Sequence, residues 1–231
     1  VTQLGRGEPL EDTARVLSRY CDVLAIRTFA QQELVDYAYW ASVPVINALT
    51  DLEHPCQALA DFLTMREAHG ELAGQTLAYI GDGNNVAHSL MLCGALLGVN
   101  VRIGCPEGFE PLPGVLDQAR DLAQHGASID VITDPAQAVA GAQAVYTDVW
   151  ASMGQETEQA EREQAFSGFC VDEALMDQAA SDAIVLHCLP AHRGEEISAE
   201  VMESAASRIF DQAENRLHAQ QALLASLMGG L

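Results

Sequence analysis

The chain has 231 residues, and 49% of them are hydrophobic, so it is long enough to bury a sizeable core in one large domain or two small ones. Its formal net charge is −22, and all eleven basic residues are arginine. The absence of lysine excludes Schiff-base or pyridoxal-phosphate anchoring by this chain, as well as the lysine of a P-loop. Because nucleic-acid backbones bind clustered positive charge, and because no apolar run reaches the length of a membrane span, we expect neither nucleic acid nor a membrane as a partner.

The six cysteines form no C-x-x-C pair, and no secretion signal opens the sequence. We therefore expect reduced thiols and a cytoplasmic location. The first residue is Val1 rather than methionine, and residues 1–8 resemble a segment from the middle of a protein sequence, so we expect a further segment upstream.

Predicted helices and strands alternate along the chain. In order they are helix 9–20, strand 22–28, helix 31–41, strand 43–48, helix 54–69, strand 75–80, helix 85–97, strand 99–103, helix 115–124, strand 128–132, helix 136–140, strand 144–147, helix 173–179, strand 183–187 and helix 215–228. This alternation predicts an α/β fold, and the continuous apolar strands are typical of parallel strands covered on both faces. The long helix 54–69 is interpreted as a linker between two domains, each with a parallel sheet flanked by helices, of which the first is incomplete.

Polar segments follow five of the predicted strands. Ligands of parallel sheets bind beyond the carboxyl ends of the strands, so these segments are the candidate site. They are residues 27–28, 51–57, 81–85, 148–156 and 188–194.

The sequence HPCQ, from His54 to Gln57, opens the linker helix with Pro55 at its first position. The free N–H groups and the positive dipole end of a helix bind anions, although an ordinary capped helix start explains the same residues. Arg27 ends an apolar strand and points either into a ligand crevice or into solvent. The segment GDGNN at 81–85 only half-matches a dinucleotide fingerprint, because Val86 stands where the last glycine is expected. Its two asparagines offer neutral donors and acceptors that suit an amino-acid carboxylate, and a tight turn with an asparagine cap explains them equally well.

Two later segments also combine reactive side chains. Asp148 opens the segment DVWASMGQE, where an acid at a strand end suits an ammonium group and the apolar character favours a closing lid over a plain surface loop. The segment HCLPAHRG suggests either a zinc site or a polar strand end that faces a substrate. We favour the substrate, because adjacent His187 and Cys188 should project in opposite directions from a strand. Arg216 is placed at the start of the last helix, where a surface ion pair with Glu214 or another acid is the simpler local interpretation.

Taken in order, HPCQ, DVWASMGQE, HCLPAHRG and AENR resemble the signature series of the ornithine carbamoyltransferases, and the resemblance runs from Val1 to about Leu227. The motifs SMG and HCLP are its most specific parts, and SMG distinguishes the ornithine enzymes from their aspartate-using relatives. The resemblance implies an enzyme that transfers the carbamoyl group of carbamoyl phosphate to the δ-amine of L-ornithine without a metal or cofactor. It also implies a homotrimer or a multiple of trimers, and a cis peptide bond between Leu189 and Pro190.

The resemblance also implies roles for individual residues. The catalytic residues would be Arg27, His54, Asp148 and Cys188. Ornithine would be held by Asn85, Asp148, Ser152 and Met153, the last two in a loop that closes over it. Carbamoyl phosphate would be held by Gln3, Arg27, His54, Pro55, Cys56, Gln57, Cys188, Leu189 and Arg216.

The implied domains are a partial carbamoyl-phosphate domain at 1–70 plus 214–231, which includes the linker helix, and an ornithine domain at 71–213. One feature departs from the family: its phosphate-binding S-T-R-T-R loop does not occur in these residues. Several donors to the phosphate are therefore missing, and we expect the 231-residue chain alone to be inactive or nearly so.

Three alternatives remain open. A nicotinamide-dependent dehydrogenase is suggested by Gly81-x-Gly83, and a titration with NAD would test it. A non-catalytic relative is disfavoured by the complete set of second-domain motifs. A carbamoyltransferase for another amine, such as putrescine, would not need the residues expected to hold the α-carboxylate, Asn85 and Met153.

Overall fold

A computed structural model describes residues 7–151 and 159–229. The helices within these ranges are α1 (Leu10–Leu17), α2 (Gln31–Trp40), α3 (Pro55–His69), α4 (Asn85–Leu97), α5 (Pro113–Leu122), α6 (Pro135–Val139), α7 (Gln159–Ala165), α8 (Glu173–Met176), α9 (Ala199–Met202) and α10 (Ile209–Leu227). The strands are β1 (Leu24–Arg27), β2 (Val45–Leu49), β3 (Thr76–Ile80), β4 (Asn100–Gly104), β5 (Ile129–Ile132), β6 (Ala144–Thr147) and β7 (Ile184–His187).

The strands form two parallel sheets. β1 pairs with β2, and the other strands form a five-stranded sheet in the order β5-β4-β3-β6-β7. The predicted α/β class is therefore confirmed. The chain moves outward from β3 to β4 and β5, and then returns to the other side of β3 for β6 and β7. At such a reversal the loops that follow neighbouring strands diverge and leave a crevice at the carboxyl ends.

Two hydrophobic clusters cover the two faces of the five-stranded sheet. Leu77 and Tyr79 of β3 belong to the cluster that includes residues of α3, α4 and α5. Ala78 and Ile80, which point the opposite way, belong to the cluster that includes residues of α6, α8 and α9. Every residue of β3, β6 and β7 is buried, as the apolar runs predict, whereas β1 and β2 are only partly buried.

Helices α3 and α10 pack against each other and join distant parts of the chain. The Asn215 side-chain amide donates to Thr64 at 3.0 Å and to Glu67 at 2.7 Å. The last helix begins at Ile209 and not at residue 215 as expected, so Arg216 lies within the helix and not at its start. The earlier start follows from burial of Ile209 and Gln212, and no glycine or proline interrupts the segment before residue 215.

The short helices α7 and α9 were not predicted from the sequence, while the other predicted elements are present with shifts of a few residues at their ends. Within the described ranges, no helix is both long enough and apolar enough to cross a membrane.

Candidate active site

A single cleft of about 720 Å³ lies at the carboxyl ends of strands from both sheets. Its walls include residues that follow β1, β2, β3, β6 and β7, so each of the five polar segments identified in the sequence contributes to it. The residues with implied roles that line this cleft are Arg27, His54, Asn85, Asp148, Cys188, Leu189 and Arg216. Gln3, Ser152 and Met153 lie outside the described residues.

Arg27 and Arg216 lie near His54 in the cleft, close enough for their charges to act on it. Arg27 leaves the end of β1, and Arg216 reaches the cleft from α10. His54 caps the N-terminus of α3, with only 9% of its surface exposed, and its backbone N–H donates to the Ser89 hydroxyl at 2.6 Å. Burial, reinforced by the positive charges of Arg216 and Arg27, lowers the pKa of His54 to about 4. The imidazole is therefore neutral at pH 7, and its buried Nδ1 atom has no hydrogen-bond partner among residues 7–151 and 159–229.

The other residues of HPCQ do not line the cleft. Pro55 occupies the first turn of α3, and the buried Cys56 thiol donates to the Asn47 carbonyl at 3.4 Å. Gln57 is also buried, and it reaches the cleft only through its side-chain oxygen, which accepts a hydrogen bond from Arg216 at 2.6 Å. Arg216 therefore contacts a glutamine, whereas the expected partner Glu214 lies 3.3 Å from His218.

A buried carboxylate lies at the end of β6. Asp148 is 6% exposed, and one of its oxygens accepts hydrogen bonds from the Cys188 thiol at 3.0 Å and from the Val149 N–H at 2.8 Å. The other oxygen accepts from the Asn84 amide at 3.0 Å. Asn84 also caps α4 by accepting from Val86 N–H at 2.9 Å. The cap expected from the sequence is therefore present, whereas the contact between Asn84 and Asp148 was not expected.

Cys188 remains protonated beside that carboxylate. Burial, followed by the negative charge of Asp148, raises the pKa of the thiol well above its usual range. A protonated thiol donates a hydrogen bond but is a weak nucleophile. The next residue, Leu189, has φ of +60° and precedes a cis peptide bond to Pro190, which confirms the expected isomer.

The arrangement of His187 and Cys188 differs from the sequence-based expectation. We expected their side chains to diverge, yet ligand atoms of both residues and of Asp148 lie within 4.8 Å of one another. Strand β7 ends at His187, so strict alternation does not extend to Cys188. Both imidazole nitrogens of His187 have polar partners: Nδ1 accepts from Leu189 N–H at 2.8 Å, and Nε2 lies 3.1 Å from Glu196. Binding a metal through this histidine would disrupt one of these contacts.

The glycine turn after β3 has a packing role. A Cβ atom added to Gly83 would lie 2.2 Å from the backbone nitrogen of Pro111, so only glycine permits this close approach. Beside it, Asp82 pairs with Arg162 at 2.7 Å, and Arg162 also donates to the Trp150 carbonyl at 2.8 Å. This buried pair fixes the turn to the segment after β6, and Arg162 was not among the residues expected at the site.

The fold and cleft define a class of protein: an α/β protein whose ligand site lies where strands of two parallel sheets end, with arginines and an acid–thiol pair lining the same cleft. Two family models match the chain: the carbamoyl-P binding domain of aspartate/ornithine carbamoyltransferase over residues 1–67, and the Asp/Orn binding domain over 73–227. The chain belongs to the aspartate/ornithine carbamoyltransferase family.

Individual relatives are consistent with this assignment. The ornithine carbamoyltransferase of Parasynechococcus marenigrum (strain WH8102) is 88% identical over all 231 residues, which span 73% of that protein. The crystal structure of ornithine carbamoyltransferase from Gloeobacter violaceus superposes with a TM-score of 0.90 at 57% identity, over 96% of this chain and 75% of that one. The enzyme from Pyrococcus furiosus gives a TM-score of 0.95 at 51% identity, over 100% of this chain and 74% of that one.

Proposed function

We propose that this chain transfers the carbamoyl group of carbamoyl phosphate to the δ-amine of L-ornithine, which yields L-citrulline and phosphate. The proposal rests on one observation: Arg27, His54 and Arg216 line the same cleft as Asp148 and Cys188. Guanidinium groups bind phosphate, and a carboxylate binds an ammonium group, so the cleft suits an anionic donor beside an amino acid. The names of the close relatives support the same pair of substrates.

The reaction requires alignment and charge stabilisation. The neutral δ-amine attacks the carbonyl carbon, and the tetrahedral intermediate collapses with release of phosphate. Arg27 and the neutral His54 stabilise the developing charge on the carbonyl oxygen, and Arg216 binds the phosphate. A free amine of this type has a pKa of about 10, so the site must favour the deprotonated form. The δ-ammonium group loses one proton to solvent before it attacks, since the Cys188 thiol is already protonated. Asp148 holds the α-ammonium group, and the leaving phosphate accepts the proton that the attacking nitrogen still has to lose.

The remaining roles follow the family resemblance. Asn85 would hold the ornithine carboxylate, and its side chain already lines the cleft while donating to the Thr50 carbonyl at 2.6 Å. Ser152 and Met153 would close over ornithine, and Gln3 would contact carbamoyl phosphate. Leu189 would contact the carbamoyl group through its carbonyl oxygen. Carbamoyl phosphate would also be held by the start of α3, at Pro55, Cys56 and Gln57.

The two substrates would be divided between two domains. We assign residues 1–70 and 214–231 to the carbamoyl-phosphate domain and residues 71–213 to the ornithine domain. The packing of α10 on α3 supports the inclusion of the last helix in the first domain. We further propose a homotrimer, or a multiple of trimers, in the cytoplasm.

A side-by-side assay tests this function. The complete gene product that carries this chain is supplied with carbamoyl phosphate and either ornithine or putrescine, and citrulline and carbamoylputrescine are quantified. We expect citrulline with ornithine and little product with putrescine, which lacks the α-carboxylate. Preference for putrescine would exclude ornithine as the substrate, and a rise in unfolding temperature with NAD would instead favour a dehydrogenase.

A further inference from the structure

A buried carboxyl group beneath the cleft has no role in the proposed reaction. Asp61 lies on α3, its surface is 0% exposed, and it does not line the cleft. Burying an acid is unfavourable unless its oxygens have partners, so the contacts of this side chain indicate why an acid occupies the position.

One oxygen of Asp61 accepts two hydrogen bonds. The side-chain amide nitrogen of Gln57 donates to Oδ1 at 2.7 Å, and that of Gln212 donates to the same atom at 2.6 Å. Both glutamines are buried, at 2% and 0% exposure. Because this oxygen only accepts, each amide turns its nitrogen towards Asp61 and its oxygen away.

The two amide oxygens then hold two separate parts of the cleft. Gln57 Oε1 accepts from the Arg216 guanidinium at 2.6 Å. Gln212 Oε1 accepts from the backbone N–H of His187 at 2.8 Å, one residue before Cys188. A single acceptor atom thereby sets the direction of one hydrogen bond to Arg216 and of one to the end of β7.

We propose that Asp61 is a positioning residue, whose acceptor oxygen orients Gln57 and Gln212 so that Arg216 and the end of β7 are held in place for the two substrates. This inference rests on the proposed function, because it assigns Arg216 to carbamoyl phosphate. The guanidinium has a second support in Gln220, whose side-chain oxygen can accept from Nε at 2.8 Å and from Nη2 at 2.9 Å. Loss of the Gln57 contact should therefore weaken the position of Arg216 rather than abolish it.

The acceptor geometry does not require a negative charge. Burial raises the pKa of Asp61 to about 7, against the opposing effect of its amide hydrogen bonds. The Tyr146 hydroxyl, which is also buried, lies beside this carboxyl and lowers its pKa as the two amides do. In the Asp61→Asn variant, the remaining side-chain oxygen would still accept from both glutamines. The amide nitrogen would take the place of Oδ2.

Three variants of the complete gene product test the proposal. Asp61→Leu removes the acceptor and keeps a branched side chain of the same length, and Asp61→Asn keeps the acceptor. Thr64→Val is the matched control, because it removes the buried contact with Asn215 between the same two helices but leaves the Gln57–Arg216 contact intact. Steady-state constants for both substrates and the unfolding temperature are measured for each variant.

We expect Asp61→Leu to raise the KM for carbamoyl phosphate by roughly 10- to 100-fold, the range in which a small displacement of a binding group acts. Asp61→Asn should change it no more than a few-fold, and Thr64→Val should lower the unfolding temperature without changing this KM. If Asp61→Leu loses only stability, as the control does, Asp61 is a packing residue and the proposal is wrong.

The Asp61→Asn variant decides the question if the leucine variant does not fold. A folded asparagine variant with a strongly raised KM for carbamoyl phosphate would show that the charge, and not the acceptor geometry, is required, and would overturn the proposal. Failure of the proposed function is distinguishable, since the unmodified protein would then form no citrulline at all.

Discussion

The thiol of Cys188 lies 3.0 Å from a carboxylate oxygen of Asp148, although the two residues follow different strands of the five-stranded sheet. β6 and β7 are neighbours in that sheet, so their ends bring the two groups together. The carboxylate disfavours a second negative charge and keeps the thiol protonated. The pair therefore offers a substrate one hydrogen-bond acceptor and one donor rather than a nucleophile.

The first prediction concerns alkylation of this thiol. At pH 8, Cys188 should react slowly with iodoacetamide, and Asp148→Asn should accelerate the reaction because it removes a charge that raises the thiol pKa. Each unit by which the pKa falls raises the thiolate fraction about tenfold. Mass spectrometry of the Cys188 peptide measures the rate, with Cys21, outside the cleft, as the internal reference. Equal rates in both proteins would mean that the carboxylate does not control the thiol.

The second prediction separates the two substrates. Asp148→Asn should weaken ornithine binding by about 2 kcal/mol, as expected for loss of a charged hydrogen-bond partner, and affect carbamoyl phosphate less. Asp51→Asn is the control, since Asp51 is a second acid in the cleft and accepts from Gln31 N–H at 3.3 Å. Dissociation constants from calorimetry give both affinities. Losses of equal size for the two substrates would remove Asp148 from the ornithine site.

The third prediction concerns Arg27. Its replacement by alanine should cost about 2–4 kcal/mol of transition-state stabilisation, as for other groups that stabilise an oxyanion. Arg19→Ala removes the same charge from an exposed position outside the cleft and controls for the net charge of the protein. The comparison uses kcat and kcat/KM for citrulline formation. A normal turnover number for Arg27→Ala would exclude this guanidinium from the reaction.

The fourth prediction is a pH dependence of stability caused by His54. Its pKa is lowered to about 4 in the folded protein, so between pH 6.5 and 4 the unfolded chain binds a proton that the folded protein does not. The contribution of His54 to the unfolding free energy is therefore fully present above pH 6.5 and is lost as the pH falls towards 4. Relative to His54→Asn, the unmodified protein should lose about 3 kcal/mol of unfolding free energy between pH 7 and pH 4.

Urea unfolding at several pH values measures this difference, and other titrating groups, including Asp61, cancel to the extent that they respond equally in both proteins. Asparagine also suits the helix N-cap, but that benefit is independent of pH. His125→Asn, at an exposed position, shows the effect of losing a histidine outside the cleft. A difference that stays constant with pH would show that the burial of His54 does not shift its protonation.

Local patterns predicted the parallel sheets and the convergence of polar residues at strand ends. The parallel sheets were predicted from the continuous apolar runs, and the position of the site from the rule that the carboxyl ends of parallel strands meet at one edge of a sheet. The sequence did not reveal that Gln57 faces Arg216, because this contact requires α3 and α10 to pack together across most of the chain. It also could not distinguish Asn84 from Asn85, whose adjacent side chains reach Asp148 and Thr50, respectively.

The position of Cys188 was missed for another reason. Alternation along a strand predicts side-chain direction only while the strand continues, and β7 ends at His187. The positive φ of Leu189 belongs to a turn that no propensity in HCLP specifies. Arg162 carries no local signal either, since its partner Asp82 lies 80 residues earlier in the chain.

The packing of α10 on α3 has a consequence for biosynthesis. The Asp61–Gln57 contact lies within one helix, but its partners Gln212 and Arg216 are translated much later. During synthesis, α3 therefore carries the polar side chains of Gln57 and Asp61 before their final neighbours on α10 have been made. Ligand-binding competence should thus be acquired late and in one step, when the last helix docks, and not gradually as each strand joins the sheet.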